Sequence, residues 1–109
     1  MADRRILEGV KVVDFTRVVA GPYATRMLAD MGAEVVTIDS PVGADGGAAE
    51  AGPRRSAGSV ENNLGKRSIV LDLKSEDGVE VARTLAAQAD VLVENFSPGV
   101  MERMGLGYE

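Results

Sequence analysis

Lys74, Phe96 and Arg103 are the side chains of this sequence with the most suggestive chemistry. A lysine and an arginine neutralise phosphate or carboxylate oxygens, the arginine as a bidentate fork, and a phenylalanine ring offers a flat face to another ring or a cation. Two of them fall where a β-strand reads as ending, in Asp72-Leu73-Lys74 and in Asn95-Phe96-Ser97, and Arg103 follows the second. Arg17-Val18-Val19-Ala20 is a third polar or flexible strand end. Open parallel α/β sheets bind ligands at the carboxyl ends of their strands. Taken singly, Phe96 serves as readily in a core and Lys74 as a solvated residue at a helix start. Arg54-Arg55 and Lys66-Arg67, in or beside loops, are the other adjacent basic pairs beyond the N-terminus. They suit either solvent or the phosphates of a small ligand.

The elements that must position these groups follow from apolar spacing. Val10 to Phe15 is rich in β-branched residues and reads as a first strand. Tyr23, Ala24, Met27, Leu28 and Met31 recur at helical spacing and predict a helix closed by Gly32. Ala33 to Ile38 is a second strand, with Asp39 at its end. Ser40 to Leu64 is rich in Gly, Ala, Ser, Pro and Arg and reads as a long loop. Ser68 to Leu73 is a third strand. Ser75 then caps a helix whose first turn carries Glu76 and Asp77, and whose inner face holds Gly78, Ala82, Leu85, Ala86 and Ala89. Val91-Leu92-Val93 reads as a strand covered on both faces. Ser97-Pro98 supplies a capping hydroxyl and a first-turn proline for a short last helix, closed by a left-handed Gly105. The start of that helix and Arg103 together would receive an anion. The order β-α-β-loop-β-α-β-α implies an α/β fold with a largely parallel sheet and helices on its faces.

Composition narrows the function classes. A chain of 109 residues has room for one small domain, taken here as residues 1–109 with no second domain. A net charge of −5 argues against nucleic acid, which draws on clustered positive charge. No apolar run approaches the roughly 18 residues of a membrane span, and Met1-Ala2-Asp3-Arg4-Arg5 leads into no signal-peptide core, so a cytoplasmic protein is expected. Without cysteine or histidine, thiolate chemistry, a zinc-type metal site and the usual general base are not expected. Asp39 lies about 20 residues beyond a glycine turn, where a dinucleotide-binding fold places its ribose-binding acid. The turn Val-Val-Ala-Gly-Pro-Tyr-Ala lacks the further glycines of that fingerprint, so a nicotinamide cofactor is not expected.

Four ordered blocks carry a resemblance: Leu7 to Pro22, Leu28 to Val36, Gly65 to Lys74, and Val93-Glu94-Asn95-Phe96-Ser97-Pro98-Gly99-Val100-Met101-Glu102-Arg103-Met104-Gly105-Leu106-Gly107-Tyr108-Glu109. They resemble the class III coenzyme A transferases, the group of formyl-CoA and carnitine-CoA transferases, in their N-terminal portion only. The resemblance implies a Rossmann-like α/β fold, coenzyme A bound as an acyl-CoA substrate, a carboxylic acid as second substrate, and an interlocked homodimer in a longer parent. It implies coenzyme A contacts at Val19, Ala20, Leu71, Asp72, Leu73, Lys74, Asn95, Phe96, Ser97 and Arg103. Formyl-CoA transferase has an arginine contacting the coenzyme where Ser40 stands here, so that contact is lost or replaced, with Arg54 or Arg55 as candidates. The family passes its acyl group through a mixed anhydride on an aspartate, and carboxylate attack on a thioester suits that exchange. That aspartate lies beyond the equivalent of Glu109, so no catalytic residue is assigned to Asp14, Asp39, Asp72 or Glu94. Two alternatives stand beside this reading: an α-methylacyl-CoA racemase of the same superfamily, and a non-catalytic coenzyme A-binding fragment. The chain alone is expected to bind coenzyme A weakly and to be marginally stable or self-associating.

Overall fold

Alternating β-branched residues make four short strands in a computed structural model that describes residues 5–17, 20–41 and 64–108. They are β1 (Lys11–Asp14), β2 (Glu34–Asp39), β3 (Arg67–Val70) and β4 (Val91–Val93), with helices α1 (Ala20–Asp30), α2 (Glu76–Gln88) and α3 (Val100–Arg103). Every strand pairing is parallel, in the order β3-β2-β1-β4. The chain builds outward from β1 to β3, then crosses back to place β4 on the other side of β1. The carboxyl ends of β1 and β4 therefore flank the point where the winding reverses, the place where open α/β sheets leave a crevice.

Side chains alternate across the sheet. Val13, Phe15 and Ile38 face Ala82 of α2 and Met101 of α3, with Leu73, Leu85, Ala89, Phe96 and Met104 packed around them. On the other face Val12 and Val35 meet Ala29 of α1 and Ala33, with Leu7, Val10, Leu28 and Val93 at the margin. The expected α/β architecture with helices on both faces is thus observed, and α2 presents Gly78, Ala82, Leu85 and Ala89 inward as its spacing predicts. Ser75 caps α2 as expected, its hydroxyl accepting from the Gly78 N–H at 3.0 Å. Gly78 is required by close approach: a Cβ there would stand 2.0 Å from the Asp72 carbonyl oxygen.

Several expectations are corrected. β1 and β3 are shorter than read. The third strand stops at Val70, with one further bond from Leu71 N–H to the Asp39 carbonyl, because Asp72 already turns the chain. Its carboxylate accepts from the Lys74 N–H at 3.0 Å and its carbonyl from the Ser75 hydroxyl at 2.8 Å. β4 is an outer strand of the described sheet, with Val91 and Leu92 exposed rather than covered on both faces. The inner face of α1 is Gly21, Pro22, Thr25 and Ala29, while Tyr23, Met27 and Met31 are exposed and Leu28 is half-buried. Ser97 does not cap the last helix by its hydroxyl: Gly99 is the N-cap at φ +88°, and the Ser97 carbonyl accepts from Val100 N–H across the turn. Gly105 closes α3 as expected, at φ +78°, with Leu106 N–H bonded to the Met101 carbonyl at 2.9 Å. The expected loop over 40–64 falls, from residue 42 to residue 63, outside the described residues.

The reason α1 turns a small, polar face inward is Asp14. Its carboxylate, at the end of β1, is fully buried and accepts from the Thr16 N–H at 2.7 Å, the Thr16 hydroxyl, the Thr25 hydroxyl at 2.5 Å and Lys66 Nζ at 3.1 Å. Lys66, with a side chain only 1% exposed, also donates to the Pro22 carbonyl at 2.9 Å. A buried charge is tolerated only when paired and hydrogen-bonded, and here the donors come from three separate places in the chain, Thr16, Thr25 and Lys66.

Candidate functional site

The carboxyl ends of the strands open into a cleft of about 820 Å³. It is lined by Phe96, on the segment leaving β4, by the turn from Asp72 to Ser75 and the first turns of α2, and by Val100, Arg103 and Met104 of α3 and its cap. Arg17, leaving β1, and Ser40, leaving β2, complete the lining. The Arg17 guanidinium lies 5.6 Å from the Phe96 ring centroid and donates to Ser40 Oγ at 3.2 Å. Arg17, Lys74, Arg83 and Arg103 bring four cations to the lining against the carboxylates of Asp72, Glu76 and Glu80. Glu80 is paired with Arg83 at 2.6 Å, which leaves Arg17, Lys74 and Arg103 against Asp72 and Glu76, an excess of one positive charge. What remains favours an anion with an apolar or aromatic portion, since Leu73, Val79, Phe96, Val100 and Met104 intersperse the charges.

Of the residues singled out in the sequence, Asp72, Leu73, Lys74, Phe96 and Arg103 meet at this cleft, although Lys74 and Arg103 are 29 positions apart. Leu71 packs instead against the core beside Val13 and Ile38. Ala20 is exposed at the first position of α1, and Ser97 is exposed on the turn into α3; neither lines the cleft. Asn95 is turned towards Arg17, and Val19 lies outside the described residues. The anion-receiving helix start expected before Arg103 is corrected as well, because α3 has only four residues and correspondingly few aligned peptide dipoles. The 13-residue α2 opens on the cleft instead, at Ser75 and Glu76.

Sequence reasoning named Arg17 only as part of a strand end and Ser40 only where a family contact is lost, and it passed over the row Glu76, Val79, Glu80 and Arg83 on α2. The row was available: those four positions are i, i+3, i+4 and i+7 from the helix start, one stripe beside the buried alanines. Arg17 was not, because its placement depends on a residue 78 positions later.

A family model described as CoA-transferase family III matches residues 7–109. Succinyl-CoA:glutarate CoA-transferase of Homo sapiens is 46% identical over 107 residues, covering 94% of this chain and 24% of that protein. Formyl-CoA:oxalate CoA-transferase of Streptomyces avermitilis is 40% identical over 111 residues, covering 96% of this chain and 26% of that protein. Among solved structures, Rv3272 from Mycobacterium tuberculosis superposes with a TM-score of 0.81 at 40% identity, over 95% of this chain and 29% of that one. The chain spans about a quarter of the length of the curated relatives it matches.

Proposed function

Since this chain belongs to CoA-transferase family III, we propose that it forms the coenzyme A-binding N-terminal part of an enzyme that moves coenzyme A between an acyl-CoA and a carboxylic acid. The observation that carries the reading is the cleft at the strand ends whose lining brings together Lys74, Arg103 and the Phe96 ring. Coenzyme A is a polyanion with a flat adenine and an uncharged pantetheine arm. Cations beside an aromatic ring and apolar side chains suit its phosphates together with a flat or uncharged portion. Asp72 and Leu73 shape the same lining through the turn into α2, and Leu71 supports it from the core. Asn95 and Ser97 belong to the segment that carries Phe96, and Val19 and Ala20 to the approach to α1.

The buried Asp14 is not offered as a nucleophile, because Lys66, Thr16 and Thr25 already occupy its carboxylate and solvent does not reach it. The carboxylate that would attack the thioester is assigned to chain beyond this segment, in a parent that works as an interlocked homodimer in the cytoplasm. Exposed Tyr23 and Met27 on α1, Met31 just beyond it, and Val70, Val91 and Leu92 on the outer strands are apolar surface such packing would cover. The test is an assay of the full-length protein with several acyl-CoA donors and carboxylic acid acceptors. Exchange of coenzyme A between them is expected. Racemisation of an α-methylacyl-CoA without any acceptor acid would contradict the transferase reading.

A further inference from the structure

β1 and β4 part company just where the cleft begins, and two side chains take over the rungs that their main chains drop. The ladder is regular through Asp14 beside Val93, and the Phe15 N–H still donates to the Val93 carbonyl at 2.8 Å. Beyond that, the Asn95 amide grips the Arg17 main chain at both ends: Oδ1 accepts the Arg17 N–H at 2.9 Å, and Nδ2 donates to the Arg17 carbonyl at 2.8 Å. The Phe15 carbonyl is answered by the Arg17 guanidinium, through Nη1 at 2.7 Å, which also reaches the Thr16 carbonyl at 3.1 Å. Nη2 meets Ser40 Oγ at 3.2 Å, and the group sits over the Phe96 ring. The backbone of Arg17 is held by Asn95, and its head group spans the ends of β1, β2 and β4.

We infer that Asn95 is a positioning residue of this cleft: it holds Arg17, and through Arg17 the cationic part of the lining and the Phe96 ring, rather than touching the ligand. The inference rests on the coenzyme A reading given above for what the cleft holds. The amide is oriented by the bond it makes at each end to one main chain, and Asn95 is absent from the residues that line the cleft. Arg17 in turn presents a planar group to the ring, which a lysine would not.

The geometry makes the two residues non-additive. Coenzyme A affinity is measured by titration calorimetry on the full-length protein and on Asn95→Ala, Arg17→Met and the double variant. Each single change is expected to weaken binding about tenfold, and the double variant to be within about twofold of Arg17→Met, because Asn95 has no guanidinium left to place. A further fivefold or greater loss in the double variant, as from an Asn95 that contacts the ligand, would overturn the inference. Asn95→Gln keeps both amide functions without adding charge but displaces them by one methylene, so it is expected to fall between wild type and Asn95→Ala, and it replaces Asn95→Ala in the cycle should that variant not fold. Amide hydrogen exchange without ligand separates this inference from the coenzyme A reading. The Arg17 N–H should exchange faster in Asn95→Ala and not in Phe96→Ala; unchanged exchange refutes the clamp even if coenzyme A binds. Absence of coenzyme A binding by the unaltered protein, with exchange accelerated as expected, refutes the ligand and upholds the clamp.

Discussion

Replacing Lys66 by methionine is the sharpest test of how this sheet is held to α1. Methionine keeps the length of the stem and removes the ammonium, so the variant isolates the charge. Both partners are out of solvent, with side chains 1% and 0% exposed and 3.1 Å between Nζ and Oδ2. Breaking such a pair from one side strands a buried charge and typically costs about 3–5 kcal/mol. Three donors remain on Asp14, from Thr16 N–H, Thr16 Oγ1 and Thr25 Oγ1, which places the expected loss at the lower end, about 3 kcal/mol. Against a total of about 5–15 kcal/mol for a protein domain, that is a large fraction. Urea unfolding followed by far-UV circular dichroism at low protein concentration reads it as a lowered midpoint with an unchanged slope. Arg67→Met is the control, since its 3.5 Å pair with Glu34 is exposed, 80% and 47%, and pairs of that kind contribute about 0–1 kcal/mol. A Lys66→Met loss below about 1 kcal/mol, indistinguishable from the control, would refute the argument that the pair is buried and indispensable.

Gly78→Ala should destabilise by about 3 kcal/mol or more, because the new methyl meets a main-chain carbonyl at 2.0 Å that the Asp72 to Ser75 turn holds in place; a variant as stable as the parent in the same urea assay would show that this turn yields. Arg103→Ala in the full-length protein should raise the Michaelis constant for the acyl-CoA donor about tenfold or more, the worth of one hydrogen bond to a charged group, and unchanged kinetics would remove Arg103 from the site. The 109-residue chain should self-associate, since Val70 is 57% exposed and Val91 and Leu92 about as open as Met27, with β3 and β4 as outer strands of the described sheet; a monodisperse monomer by light scattering would count against this.

Whatever depends on near neighbours in the chain was legible. The strands came from β-branched runs, the Ser75 cap and the inner face of α2 from spacing, and the Gly32 and Gly105 helix ends from their position after an apolar pattern. Misreadings arose where a distant residue decides the outcome. The apolar row Tyr23, Met27 and Met31 looks like the inner face of α1, yet Asp14 needs a hydroxyl from Thr25 and an ammonium from a residue 52 positions away, and small residues let the helix close over them. Ser97-Pro98 looks like a helix start, but Gly99 adopts a left-handed conformation that moves the cap two residues on. At the site, Lys74, Phe96 and Arg103 were visible because cations and a ring beside strand ends have few neighbours that explain them. Asn95 was read as a ligand contact, and its engagement with Arg17 could not be seen without the parallel pairing of β1 with β4.

The central claim is that the crevice between the ends of β1 and β4 receives coenzyme A. The most direct measurement is amide chemical-shift mapping of the isotope-labelled chain, held below the concentration at which it self-associates and titrated with millimolar coenzyme A to allow for weak binding. The largest shifts are expected at Arg17, Lys74, Ser75, Phe96 and Arg103, with Leu7, Lys11, Gly32 and Glu34 at the opposite ends of the strands unmoved. Shifts concentrated at those opposite ends, or none at saturating coenzyme A, would contradict it.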